Sequence, residues 1–221
     1  MAFTAALFIA RLDQLRSPTR DGIPMGRIFA LAKKCMDMPL DQIEELLESP
    51  VHEVRVGAVS IMDFQARSRR TSDEGRRALF ELYIRRHDRI DTWDLVDRSA
   101  IWVVGEHLRD KPRDILDRLA ASPRPMERRT AILSCFAFIR RGELDDAFRI
   151  AERLVDDGGD LVQKSVGWML REAGKQDEPR LLAFLDAHAA TMPRVMLRYA
   201  IEKLDRAVRD RYLAMKAAAR R

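Results

Sequence analysis

The sequence predicts an all-α fold, a solenoid of stacked helix pairs, and three observations carry that prediction. No segment alternates polar and apolar residues for long enough to make a strand, and clusters of β-branched residues are rare. Pro, Gly, Ser and Asp punctuate the chain at intervals that suit helices. A short pattern, a basic residue followed by small or aliphatic positions, recurs at Arg55-Val56-Gly57-Ala58, Arg98-Ser99-Ala100-Ile101 and Arg129-Thr130-Ala131-Ile132. Looser copies stand at Lys164-Ser165-Val166-Gly167 and Arg198-Tyr199-Ala200-Ile201. The steps between copies, 31 to 43 residues, have the length of one helix pair in a HEAT-like repeat.

Helices are expected near residues 2–16, 24–36, 40–48, 52–67, 72–87, 93–109, 112–120, 125–140, 143–155, 160–173, 178–189 and 194–204, with a tail helix to about 217. The apolar opening, Met1 to Ala10, lacks a basic leader and soon meets charges, so it reads as the first helix and not as a signal peptide. Pro24, Pro39, Pro112 and Pro179 suit first helical turns, where the missing N–H costs nothing. Gly142, Gly158, Gly159 and Gly174 suit helix ends or connections. Small residues in the repeat would let neighbouring helices approach closely. Residues 1–221 are expected to form one HEAT-like domain, with 205–221 as its C-terminal tail helix.

Composition narrows the classes. With 221 residues, 47% hydrophobic and 34% charged, the chain can bury a real core. No apolar run approaches the ~20 residues of a membrane span. Cys35 and Cys135 sit in apolar surroundings without ligand-like spacing. Neither a disulfide framework nor a zinc site is expected, and a reducing cytoplasm fits. The four histidines are dispersed, and His52-Glu53 lacks a second His one turn later. There is no phosphate-binding glycine loop and no nucleophile elbow, and Asp156-Asp157-Gly158-Gly159 reads as a turn. No metal and no cofactor are expected.

The formal charge is +5, and basic residues cluster at Arg67 to Arg70 and at the pairs Arg76-Arg77, Arg85-Arg86, Arg128-Arg129 and Arg140-Arg141. Single pairs of this kind are usually solvated faces; their repetition favours an anionic partner. Stacked helix pairs curve, so the inner helices would line a concave basic groove able to track a duplex backbone. A protein-binding scaffold is the plain alternative.

Two helical stretches depart from core patterning. In Trp93-Asp94-Leu95-Val96-Asp97, Trp93 and Asp97 lie one turn apart and share a face, away from the side that carries Leu95, Trp102 and Val103. Trp102 is therefore expected in the core. An acid aimed outward from a basic chain repels phosphate and calls for a reason, such as stabilising a developing cation. Asp94 reads instead as a first-turn acid that offsets the helix macrodipole. In residues 161–172 the apolar Val162, Val166, Met169 and Leu170 gather on one face, and Lys164, Trp168 and Arg171 on the other. Trp168 thus stands between two cations as an exposed indole.

These residues carry a resemblance. Trp93-Asp94-Leu95-Val96-Asp97, Val104-Gly105-Glu106, Arg129-Thr130-Ala131-Ile132 and the run from Val162 to Glu172 resemble the bacterial DNA alkylation repair family of HEAT-repeat alkylpurine DNA glycosylases. Upstream, Gly22-Ile23-Pro24-Met25 and His52-Glu53-Val54-Arg55 are similar to the family's N-terminal portion, so the resemblance covers roughly residues 20 to 204. It implies that Asp97 is the catalytic carboxylate and that Trp93 and Trp168 are aromatic contacts to the damaged nucleotide. It also implies that Arg129 is a DNA-facing arginine; Lys164 and Arg171 are expected to meet phosphate beside it. Thr92 stands where some relatives place another Trp.

The implied activity is hydrolysis of the N-glycosidic bond of cationic N3- or N7-alkylated purines in duplex DNA by a monomeric, cytoplasmic, monofunctional glycosylase. The residue types suit that chemistry. An alkylated purine is already a good leaving group, an ionised carboxylate stabilises the sugar cation, and indole faces attract a cationic base. A catalytically silent DNA-structure binder of the same fold and a protein-interaction scaffold are the rival readings.

Overall fold

The computed structural model describes residues 3–16 and 22–218, with side-chain surroundings described to residue 215. Among the described residues every regular element is a helix. No helix is long and apolar enough to cross a membrane. The chain divides into two compact units, Met1–His107 and Leu108–Arg221.

Unit 1 contains α1 (Ala5–Asp13), α2 (Met25–Lys34), α3 (Leu40–Leu47), α4 (His52–Arg67), α5 (Asp73–Arg85) and α6 (Trp93–Ser99), with a short 3₁₀ turn at His87–Arg89. The Thr4 hydroxyl caps α1 by accepting from the Leu7 amide, and Ser72 caps α5 by accepting from Gly75, each satisfying a first-turn donor that would otherwise lack a partner. Helices α1, α3 and α5 pack in one layer, and α2, α4 and α6 in a second. At the centre, α4 is buried without interruption from Val54 to Asp63. A helix enclosed on every side in this way can include polar residues only where they find partners.

Unit 2 contains α7 (Asp114–Ala120), α8 (Pro125–Ser134), α9 (Phe136–Ile139), α10 (Asp145–Arg153), α11 (Asp160–Gly174), α12 (Glu178–His188), α13 (Arg194–Ala200) and α14 (Arg206–Ala218). Here α11 is central, flanked in its layer by α8 and α13 and backed by α10 and α12. Helix α14 returns to α12, where the Tyr212 hydroxyl lies 2.9 Å from Asp186 Oδ1. Gly142, with φ +80°, takes the left-handed conformation that closes the end of α9.

The small positions of the repeat allow close helix contact. A Cβ on Gly57 of α4 would lie 2.3 Å from Phe8 Cζ of α1, and one on Gly167 of α11 would lie 2.4 Å from the Met196 carbonyl oxygen of α13. No side chain fits at either place without movement.

The expected helix boundaries hold within a few residues, with two informative differences; the first two residues of the chain lie outside the described ones. Residues 93–109, expected as one helix, divide into α6 and a π-helical segment at Ala100–Gly105, seen in the Glu106 N–H bonding to Ile101 O at 2.9 Å. Residues 125–140 divide at Cys135 into α8 and α9. At both breaks a serine hydroxyl bonds back to the carbonyl four residues earlier, Ser99 to Leu95 and Ser134 to Thr130, each at 2.7 Å. This contact competes with the helical ladder and bends helices. Ser60 makes the same bond within unbroken α4, so the contact permits a break without forcing one.

A repeated clamp sets the register of the helix pairs. Arg55 donates to the carbonyls of Ser49 and Pro50 and reaches Asp91 at 3.2 Å. Arg128 donates to the carbonyls of Ser122 and Pro123 and reaches Asp157. Each arginine stands five residues after the proline of a Ser-Pro pair. Structurally, therefore, Arg128 is the counterpart of Arg55, one residue away from the Arg129 alignment that the sequence pattern suggests.

Candidate functional site

In unit 1 the site begins at the start of α6. Thr92 has an extended backbone, and its hydroxyl donates to Asp94 Oδ1 at 2.8 Å. His52 Nε2, at the start of α4, lies 2.8 Å from Asp94 Oδ2. Asp94 therefore ties the first turns of α4 and α6 together and offsets the macrodipole of α6, the structural part expected for it. One residue before it, Trp93 is 51% exposed, the most exposed large apolar side chain among the described residues. Asp97, one turn on, is half-buried.

Behind Asp97 lies an ionic cluster that the sequence did not suggest. Asp63 of α4 is fully buried, with Arg67 Nη2 2.8 Å from one carboxylate oxygen and Arg98 Nη2 3.1 Å from the other. The Arg98 contact is an ion pair without hydrogen-bond alignment, so that oxygen has charge compensation but no donor. Arg98 also lies over the rings of Phe29 and Phe64, at 4.5 and 4.7 Å from their centroids, and donates to Ser60 Oγ. Burial pushes the Asp63 carboxyl up despite the pull of Arg98 and Arg67, and the same burial lowers Arg98. This cluster fixes the residue that follows Asp97, and the π-helical segment begins two residues further on.

Trp102, expected in the core, is only partly buried, with Arg67 stacked 4.5 Å from its ring centroid. The wider turn of the π segment advances each residue by less than an α-helix would, which rotates Trp102 toward the side of Arg98. Only Asp63-Arg67, spaced i,i+4, could have been read from sequence; the Arg98 contact depends on how α4 and α6 pack.

In unit 2 the wheel expected for α11 is observed. Val162, Val166, Met169, Leu170 and Ala173 are buried, and Lys164, Trp168 and Arg171 share a partly exposed face. These three are tethered. Lys164 pairs with Asp160 at 2.6 Å. The Trp168 indole N–H donates to Glu172 Oε1 at 3.2 Å, and its ring lies 6.1 Å from that of Phe136. Arg171 pairs with Glu172 and Glu202, and Lys175 joins Glu172 at 2.7 Å. Glu172 thus holds the indole edge and two cations at once. Arg129 is only 5% exposed, and its guanidinium donates to the Leu161 carbonyl at the start of α11. Its site in the structure is a support beneath the helix that carries Lys164 and Trp168.

Many of the expected basic clusters are neutralised internally. Arg85 and Arg86 pair with Glu44, Arg77 with Glu74 and Glu81, Arg128 with Asp157 and Arg141 with Glu143. Among the described residues no group of three or more His, Cys, Asp or Glu side chains could hold a metal ion.

The described fold has a close counterpart among solved structures. A protein titled a predicted DNA alkylation repair enzyme from Enterococcus faecalis superimposes with a TM-score of 0.65 at 17% sequence identity, over 91% of this chain and 95% of that one. At that identity the likeness concerns the fold. No curated protein matches the chain. The profile of the DNA alkylation repair enzymes matches residues 20–204, which include all of α2 to α13 and every candidate site residue. The chain belongs to the DNA alkylation repair enzyme family.

Proposed function

We propose that this chain is a monofunctional DNA glycosylase that releases cationic N3- or N7-alkylated purines from duplex DNA. The observation that supports it most directly is the open face of α6, where exposed Trp93 stands one turn before Asp97. In unit 2, Lys164, Trp168 and Arg171 on α11 serve as DNA contacts, and Arg129 holds α11 in place.

In the reaction the bond between the sugar C1′ and the purine nitrogen breaks, and its electron pair leaves with the base, neutralising the purine's charge. The sugar becomes oxocarbenium-like, and the Asp97 carboxylate stabilises that charge. A water oxygen then bonds to C1′ and its proton passes to Asp97 or to solvent, leaving an abasic site. The leaving group is cationic from the start, so the chemistry calls for neither a metal nor a cofactor. Trp93 packs against the sugar or the cationic base with its ring face. A monomeric, cytoplasmic protein suits the two buried free thiols, Cys35 and Cys135.

The test is base release from duplex DNA containing 7-methylguanine, in chelator, by wild type and Asp97→Asn. Wild type is expected to release the base. Asp97→Asn keeps the shape and loses the charge, so release should fall on the order of 100- to 1,000-fold with DNA binding retained. Wild type that binds the alkylated duplex at saturation and frees no base would establish the silent-binder reading instead.

A further inference from the structure

Unit 1 contains a basic cavity that the proposed reaction does not use. It has a volume of about 430 Å³ and opens between the C-terminal end of α2 and the turn joining α4 to α5. Lys33, Lys34 and Arg70 line it against a single carboxylate, Asp37, with Met36, Ser68 and Thr71 completing the wall. While many other arginines pair with acids, Lys33, Lys34 and Arg70 make no ion pair among the described residues.

The walls are held from behind. Gln65 donates to the carbonyls of Met36 and Met38 at 2.9 and 2.8 Å, fixing one side. Arg76 donates to those of Ala66, Ser68 and Thr71, fixing the other. Carbonyl groups that would repel an anion are thereby engaged by donors. The ends of α2 and α4 bring partial negative charge of roughly one-half each, against a net charge of two from the lining side chains. Positive potential wins.

We infer that this cavity takes a phosphodiester of the DNA strand, on the flank of the lesion and away from the reacting base. The inference rests on the DNA reading proposed above and names a further contact for it. Second-layer helices α6, α4 and α2 are consecutive neighbours in the fold. At about 8–10 Å between helix axes, α2 lies roughly 16–20 Å to the side of α6. The cavity is displaced further along the helices, at the opposite end of α4 from the His52–Asp94 contact. The separation is therefore at least about five nucleotides along a strand.

The test compares wild type with a Lys33→Gln/Arg70→Gln double variant on a long duplex carrying one 7-methylguanine. Circular dichroism and melting confirm that the variant folds. Its affinity should fall, and the slope of log affinity against log salt should shrink by roughly 0.9, the value for one lost phosphate contact. A neutral methylphosphonate moved along the strand should weaken wild type at one position, at least about five nucleotides from the lesion, and leave the variant unaffected there. Base release at saturating protein should stay within about twofold.

Equal affinity and equal salt slope for both proteins, with base release intact, would overturn the cavity assignment and leave the glycosylase reading standing. A wild type that binds through these residues but frees no base supports the cavity and refutes the glycosylase. Absence of any DNA binding refutes both. Saturable thermal stabilisation of wild type alone by inorganic phosphate, with DNA binding equal in both proteins, would make this a small-anion site and overturn the DNA assignment.

Discussion

Substituting alanine for Gly167 tests whether the close approach of α11 and α13 carries unit 2. The new Cβ would lie 2.4 Å from the Met196 carbonyl oxygen and 2.6 Å from Tyr199 Cβ, where ordinary contact begins near 3.4 Å. Both obstacles belong to or adjoin the α13 backbone, so no rotamer change relieves them, and α13 must withdraw by about 1 Å. Overpacking of this kind costs about 1–3 kcal/mol, here at the upper end. The better helix propensity of alanine returns about 1 kcal/mol, which leaves a net loss of about 2 kcal/mol. Gly26 of α2 is the control, since nothing lies within 4 Å of a Cβ built there. Gly26→Ala should gain about 0.5–1 kcal/mol.

In thermal melts followed by circular dichroism, these values correspond to a fall of about 4–8 °C for Gly167→Ala and a rise of about 1–4 °C for Gly26→Ala. Should the two units melt separately, the Gly167 effect belongs to the transition of unit 2. Helix α11 also carries Trp168, so base release should decline with the displacement. A Gly167→Ala protein as stable as wild type would refute the packing argument.

Two further substitutions separate structural from catalytic acids. Asp94→Asn loses charge-assisted contacts to His52 and Thr92 and should cost about 1–2 kcal/mol in urea titrations. Once folded it should release base at a rate near wild type, unlike Asp97→Asn, and an equal loss for the two would erase the distinction between them. Burial raises the Asp146 carboxyl, but hydrogen bonds and charge from Arg113 and Arg149 outweigh it and hold it below its ordinary value. Its stabilisation is therefore full above the unfolded value of about 4 and is lost as pH falls through the folded one. Asp146→Asn should lower stability near neutrality, with the gap narrowing below about pH 4; urea midpoints across pH test this, and a constant gap would contradict it.

Local signals made most helices legible. Pro39 marked the start of α3, and the helix expected at 40–48 ends within one residue of its observed end. The π segment after Ser99 and the break at Cys135 were not legible, because the same serine back-bond occurs in unbroken α4. The exposure of Trp93 and the two faces of α11 follow from helical phase alone. Pairing between distant segments does not. Arg86 meets Glu44 from 42 residues away, and Arg129 turns inward to a carbonyl 32 residues ahead. A wheel drawn for one helix contains no information about either, so the count of cations overstated how many face outward.

The Ser-Pro clamps alter how such an array comes apart. In a linear stack, stability is a sum of terms for each repeat and terms for each nearest-neighbour contact. Arg55 touches the connection before its own helix and, through Asp91, the connection into the next second-layer helix; Arg128 does the same through Asp157. Each clamp adds to the coupling and little to the intrinsic stability of one repeat. Strong coupling suppresses fraying from an end, so the helices within a unit should open as a block.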